Sequence, residues 1–260
     1  MADDTVDPDE GSLIVDLLQG VIAWFQDPAN WQGEDGVWNR LVEHLLLTIT
    51  ATTVAVAIGL PLAIWLGHIG RGGLLAVNIS NVGRAVPTFA VLLLLSIGPV
   101  GADRLGPYGR AGLATLLALV LFALPPIITN AYVGMREVDR DTVEAARGMG
   151  MQGGQLLRQV EIPLAFPLIV AGVRLAVVQV WATATIAALV AGPGLGRIIT
   201  LGFRRQDTVE VVSGALVVAF IALMLEASMV FLQWLLDPVG RARRTTRAHE
   251  ADQTPEPIMP

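Results

Sequence analysis

Residues 144–163 read EAARGMGMQGGQLLRQVEIP, and the reading of this stretch decides the fold. Gly148, Gly150 and Gly153 spell G-x-G-x-x-G, the fingerprint of a dinucleotide-binding turn. That turn needs a buried strand leading in and a long helix leading out, so that the pyrophosphate meets bare backbone at a helix N-terminus, with an acidic residue some twenty positions on. Here residues 139–147 (DRDTVEAAR) are polar, carry an Asp-x-x-Glu pattern from Asp141 to Glu144, and predict a short helix capped by Asp141. Downstream, Pro163 opens a long apolar run. The glycines therefore read as an elbow between two short helices. The second, Gln155 to Val160, has Leu156, Leu157 and Val160 on one apolar face and is predicted to end at Pro163. Such a hairpin suits insertion into a partner's groove, the alternative being an amphipathic loop on a membrane surface.

Composition identifies the solvent. Of 260 residues, 53% are hydrophobic and 15% charged, with a mean hydropathy of +0.61. That is more apolar side chain than a soluble domain of this size can hide. A bilayer core of about 30 Å requires about 20 helical residues, and five runs qualify: 41–68, 74–100, 111–133, 163–190 and 209–236. A sixth run, Leu13 to Phe25, is too short to span and contains Asp16 and Gln19, so an interfacial helix is expected there. The chain opens acidic, MADDTVDPDE, unlike a signal peptide, and the polar, Pro-containing tail 241–260 is expected to be disordered. The expected organisation is an extracytoplasmic segment 1–37, a membrane domain 38–240 and a cytoplasmic tail 241–260.

No cysteine is present, and His44, His68 and His249 lie in different contexts, so no metal site is expected. All seventeen basic residues are arginine. Short arginine-rich loops stay in the cytoplasm. An outside N-terminus puts Arg71, Arg136, Arg140, Arg147, Arg158, Arg241, Arg243, Arg244 and Arg247 inside, against Arg40, Arg104, Arg110, Arg197, Arg204 and Arg205 outside. A multi-pass protein of the cell membrane with its C-terminus in the cytoplasm is expected.

Glu144-Ala145-Ala146, three residues, Gly150, nine residues and then Val160-Glu161-Ile162-Pro163 resembles the EAA loop of ABC-importer permeases, EAA-x3-G-x9-I-x-L-P, departing only by Val for Ile and Ile for Leu. Its place between the third and fourth of five spans is similar to the type I importer core, over about residues 38–240. The resemblance implies an all-α membrane fold of five spanning helices, with an N-terminal interfacial helix and a cytoplasmic coupling hairpin. It also implies docking of Glu144, Ala145, Ala146, Gly148, Gly150, Leu156, Leu157 and Pro163 on an ATP-hydrolysing subunit. Expected partners are a second permease chain, identical or paralogous, two ATP-binding cassette subunits, an extracytoplasmic substrate-binding protein and membrane lipid, with no nucleic acid. The chain has no G-x-x-x-x-G-K-[ST] and no lysine, so ATP and Mg are expected on the partner ATPase, with no cofactor on this chain and no catalysis of its own.

Polar and kinked positions in spans mark candidate path residues: Pro87, Phe89, Thr129, Asn130, Gln179, Trp181, Thr183 and Thr185, with Pro125-Pro126 interrupting the third span. For each the alternative is structural, since threonines bond back to their own helix and Asn, Gln and Trp join helices. Arg84 and Arg174 are read near the cytoplasmic ends of their runs, and Glu226, deeper, is expected to face a helix interface. After the fourth span, Gly192, Pro193, Gly194 and Gly196 force a turn before a short amphipathic piece. The resemblance places that segment near where a binding protein docks, which assigns Gly192, Gly194, Gly196, Arg204 and Arg205 to docking; an ordinary loop is the alternative.

Among importer permeases, EAARGMGM and LLRQVEIPLAFPLIVAGVRLA, with GRAVPTFAVLLLL upstream and GPGLG downstream, look most like the branch that moves glycine betaine, choline, carnitine or proline betaine. A methionine or other amino-acid permease is the alternative within the class. A secondary transporter, the alternative outside it, would carry inverted repeats and ion-coupling carboxylates, and only Glu226 is a deep acid. An intramembrane enzyme would need a nucleophile or metal constellation that the chain lacks.

Overall fold

The computed structural model describes residues 8–73, 78, 86–102, 108–109 and 111–236, and among these it is all-helical. The elements are α1 (Pro8–Gln26), α2 (Val37–His68), α3 (Thr88–Ile97), α4 (Gly112–Arg136), α5 (Arg140–Gly148), α6 (Gly153–Leu156), α7 (Ile162–Ala187), α8 (Gly196–Arg205) and α9 (Thr208–Leu236). Among the described residues four helices are long and apolar enough to cross a membrane: α2, α4, the continuous run Gly153–Val190 that contains α6 and α7, and α9. The shortest has 25 residues, about 37 Å at 1.5 Å per residue and so longer than the hydrocarbon core. They fall on four of the five expected spans. The fifth, 74–100, is described as α3, with 74–77 and 79–85, Arg84 included, outside the described residues.

Prolines behave differently from the sequence expectation. Pro87 does not kink a span but stands at the N-cap of α3, extended at φ −64° and ψ 114°, because a proline fits a helix start, where no N–H is needed. Pro125 and Pro126 lie inside α4, which continues through them. Pro163 does not end the second short helix: α6 passes through a π turn, Leu157–Glu161, straight into α7. In that turn the Ile162 N–H reaches the Leu157 carbonyl, five residues back. The widened turn accommodates a ring that would otherwise meet the carbonyl four residues earlier.

Contacts divide the chain into two units. The first comprises 1–55, 83–123 and 176–225. Its core gathers Val37, Trp181, Leu195, Ile198 and Val217, with Trp24, Phe25 and Trp31 against them, and a second cluster of Leu92, Ala118, Phe122 and Ala187. The other comprises 56–82, 124–175 and 226–260, its core built on Ala63, Ile128, Ala131, Met135, Val138, Ala165 and Ile169. Small residues let these helices approach closely, as membrane helices do in the absence of a hydrophobic drive between them. Gly172 shows the tolerance: a Cβ there would lie 2.7 Å from the Asn130 Cβ and 2.9 Å from the Pro126 carbonyl oxygen. Gly172→Val is expected to destabilise the α4–α7 contact by about 1–3 kcal/mol, as overpacking does, read as a lower melting temperature of the detergent-purified chain. An unchanged melt would show that the helices separate freely there.

Candidate functional site

The EAA hairpin lies wholly in the second unit. Its first helix, α5, is capped by Asp139, whose carboxylate accepts from the Thr142 N–H at 3.1 Å and the Thr142 hydroxyl at 2.8 Å. These bonds, the hydroxyl's first, hold the Asp139 carboxyl below its ordinary range. The expected cap at Asp141 is thus corrected by two residues. Asp141 occupies the first turn, where its charge favours the helix dipole, and Glu144 is too far along α5 to serve as the box partner. Gly148 ends α5, and Gly150 alone in the elbow takes a left-handed conformation, φ +87°. Its N–H bonds the Arg147 carbonyl at 2.9 Å, and that of Met151 the Ala146 carbonyl at 3.2 Å. Gln152 and Gln155 then form a reciprocal capping box that opens α6.

Burial sorts the hairpin into an inner and an outer side. Ala146 and Leu156 are buried, and Leu157 packs on the cluster around Ala131 and Met135, so these three anchor the hairpin to its own helices. Pro163 is half-buried in the same helix. Glu144, Ala145, Arg147, Gly148, Met149 and Gly150 are exposed, Met149 to 78%, the highest value among the exposed large hydrophobics of the described residues. A polar cavity of about 230 Å³ sits behind α5, lined among others by His68, Arg136, Arg140, Glu144, Arg147 and Glu161. Within it His68 Nδ1 pairs with Glu161 Oε2, tying the last residue of α2 to the π turn. Sequence reasoning missed this pair. A carboxylate between the apolar residues of V-x-I-P, Glu161, was the available signal.

The Gly-Pro turn belongs to the first unit and is built on α2. The Gly194 N–H donates to Glu43 Oε2 at 3.0 Å and the Leu195 N–H to His44 Nδ1 at 3.2 Å. His44 Nε2 stands 3.0 Å from the Trp181 carbonyl, and its ring lies 4.1 Å from the Trp181 ring. One neutral tautomer, protonated on Nε2, satisfies both partners. Arg40 binds the Glu43 carboxylate from the other side at 2.9 Å. This network buries Gly192, Gly194 and Gly196. Close backbone approach requires them: a Cβ at Gly196 would lie 2.2 Å from the Thr185 carbonyl, and Gly194 adopts φ +103° against the His44 ring. Arg204 and Arg205 are exposed, Arg205 Nη1 being 3.3 Å from Glu210.

The candidate path residues take several roles. Trp181 and Thr183 are buried, and the Trp181 indole donates to the Val218 carbonyl at 3.3 Å, so Trp181 is core packing. Thr185 and Asn130 bond back to Trp181 and Pro126 of their own helices. Thr129 and Gln179 are half-buried, and Phe89 is exposed. Glu226 finds its partner in Arg174, the guanidinium Nε lying 3.4 Å from Oε1.

A family model described as "Binding-protein-dependent transport system inner membrane component" matches residues 55–241. The carnitine transport permease protein OpuCB of Listeria monocytogenes is 30% identical, the match covering 85% of this chain and 95% of that protein. The glycine betaine/carnitine/choline transport system permease protein OpuCB of Bacillus subtilis (strain 168) is 28% identical over 76% of this chain and 87% of its own length. Among solved structures, the inward-facing MetNI methionine ABC transporter superposes with a TM-score of 0.62 at 20% identity, covering 77% of this chain and 94% of that one. An amino acid ABC transporter with histidines gives 0.58 at 22% identity, covering 86% and 95%. These structural likenesses share the fold.

Proposed function

The chain belongs to the binding-protein-dependent transport system inner membrane components, and from that premise we propose that its cargo is a quaternary-ammonium osmoprotectant: glycine betaine, choline, carnitine or proline betaine. It is a multi-pass, non-catalytic permease subunit of an ABC importer. The cargo reading is carried by one observation, the likeness of nearly the whole membrane domain to permeases named for carnitine, choline and glycine betaine transport. A methyl-capped ammonium has no hydrogen to donate, so its tight recognition requires aromatic faces, and this task falls to a separate binding protein. Comparison of cells with and without the chain at high osmolarity, using labelled glycine betaine, choline and carnitine, tests the reading. Loss of at least one uptake is expected; three intact uptakes alongside impaired methionine uptake would replace it with the amino-acid reading.

The exposed side of α5 and the elbow dock on the ATPase. Anchored through Ala146, Leu156 and Leu157, the hairpin passes the closure of two ATP-bound subunits into the spans, a population shift between inward- and outward-open states. ATP and Mg reside on those subunits. Two permease chains enclose the path, and Arg204, Arg205 and Phe203 present charge and apolar surface to the binding protein. In this arrangement the N-terminus and α1 lie outside and the hairpin in the cytoplasm. Because the chain has no cysteine, single cysteines report sidedness cleanly. One at Gly153 is expected to react only with reagent supplied from the cytoplasmic side, and one at Asp103 only from outside. The opposite pattern inverts the topology.

A further inference from the structure

Arg174 and Glu226 stand well inside α7 and α9, whereas the other ion pairs among the described residues engage helix ends or the turns beside them. Arg174 is also held by Gln233, its Nη1 donating to Oε1 at 3.2 Å, and the Gln233 amide reaches the Pro167 carbonyl at 3.5 Å. The two charged side chains remain 35% and 40% exposed. Glu226 lies off the most exposed faces of α9. Glu226 and Gln233, two turns apart, share a stripe of α9 with the half-buried residues 222, 225 and 229, while Leu223, Met224, Phe231 and Trp234 occupy its exposed faces. A half-exposed ion pair is strongly disfavoured against lipid and tolerated against water, so intramembrane charges line aqueous or polar routes.

We propose that Arg174 and Glu226 form a subsite on the translocation path that receives a small zwitterion, the guanidinium taking its carboxylate and Glu226 its cationic end. The proposal rests on the cargo reading only in requiring a solute with both charges. Arg174 offers the planar fork that matches a carboxylate, and Gln233 keeps that fork in place. Without cargo the two groups neutralise each other, which leaves no net charge to trap a simple ion. As the zwitterion enters, each group exchanges its internal partner for the complementary end of the solute, so the site fills without adding charge to the membrane interior.

The test uses the complete importer in cells, with uptake normalised to the amount of chain in the membrane, for R174Q, E226Q and the double variant. R174Q is expected to lower glycine betaine uptake about tenfold, as loss of a charge-assisted bond does, mainly by raising KM. Choline, which has no carboxylate, should lose about threefold at most. E226Q should depress both solutes, and the double variant should recover neither. If the pair merely staples α7 to α9, both single variants will depress both solutes equally and the neutral double variant will restore them; that result, or wild-type uptake in all three, overturns the subsite. Should the unmodified importer take up neither solute, the cargo reading fails on that control. The three variants are then scored with methionine, whose carboxylate poses the same question, and R174Q uptake equal to wild type refutes the proposal.

Discussion

Gly150→Val is expected to reduce ATP-driven uptake by about tenfold or more while the chain still inserts, because Gly150 is the one elbow residue with a left-handed backbone, at φ +87°. An L-residue in that region costs about 1–2 kcal/mol, more with a branched Cβ, and about 1.4 kcal/mol is a tenfold change. No atom lies within 4 Å of where its Cβ would sit, so the cost is conformational rather than steric. The chain relieves it by swinging α5 relative to α6, which moves the surface proposed to dock on the ATPase. Gly148 provides the control. It sits in helical backbone with equally open space, so Gly148→Ala carries no such conformational cost and should lower uptake far less than Gly150→Val. Equal effects at the two glycines would remove the elbow from the mechanism.

The second large effect is expected at His44. Its side chain is fully buried and joins Leu195 to Trp181. His44→Ala strands the Leu195 N–H, takes one of its partners from the Trp181 carbonyl and opens a cavity beside the indole, a loss of about 3–5 kcal/mol. The purified chain should melt about 6–15 °C lower, with Gly194→Ala moving in the same direction because its Cβ would press on the His44 ring. A melting shift under about 2 °C for His44→Ala would show that the turn holds without the imidazole.

Local pattern made the spans readable: apolar runs locate α2, α4, α7 and α9 to within a few residues at most of their ends. The EAA hairpin was equally legible, since glycines between two short amphipathic pieces permit little else. Errors arose where two local choices compete. Asp139 and Asp141 both suit an N-cap, and the Thr142 hydroxyl decides for Asp139. Pro163 reads as a stop, yet a π turn carries the helix past it. What sequence could not supply was pairing across distance. GPGLG reads as an exposed loop until Glu43 and His44, on another helix, are seen to bind its backbone. Arg174 and Glu226 each stood out in an apolar run, but only packing of α7 against α9 joins them.

The central claim, that this permease converts ATP hydrolysis on partner subunits into osmoprotectant import, is tested most directly in proteoliposomes. The chain is reconstituted with its ATPase subunits, a second permease chain where the two differ, and its binding protein. Accumulation of labelled glycine betaine, choline or carnitine should require ATP and the ATPase subunits, and should collapse in Gly150→Val. Accumulation by this chain alone without ATP, or ATP-driven accumulation of an amino acid with all three osmoprotectants excluded, would contradict the account.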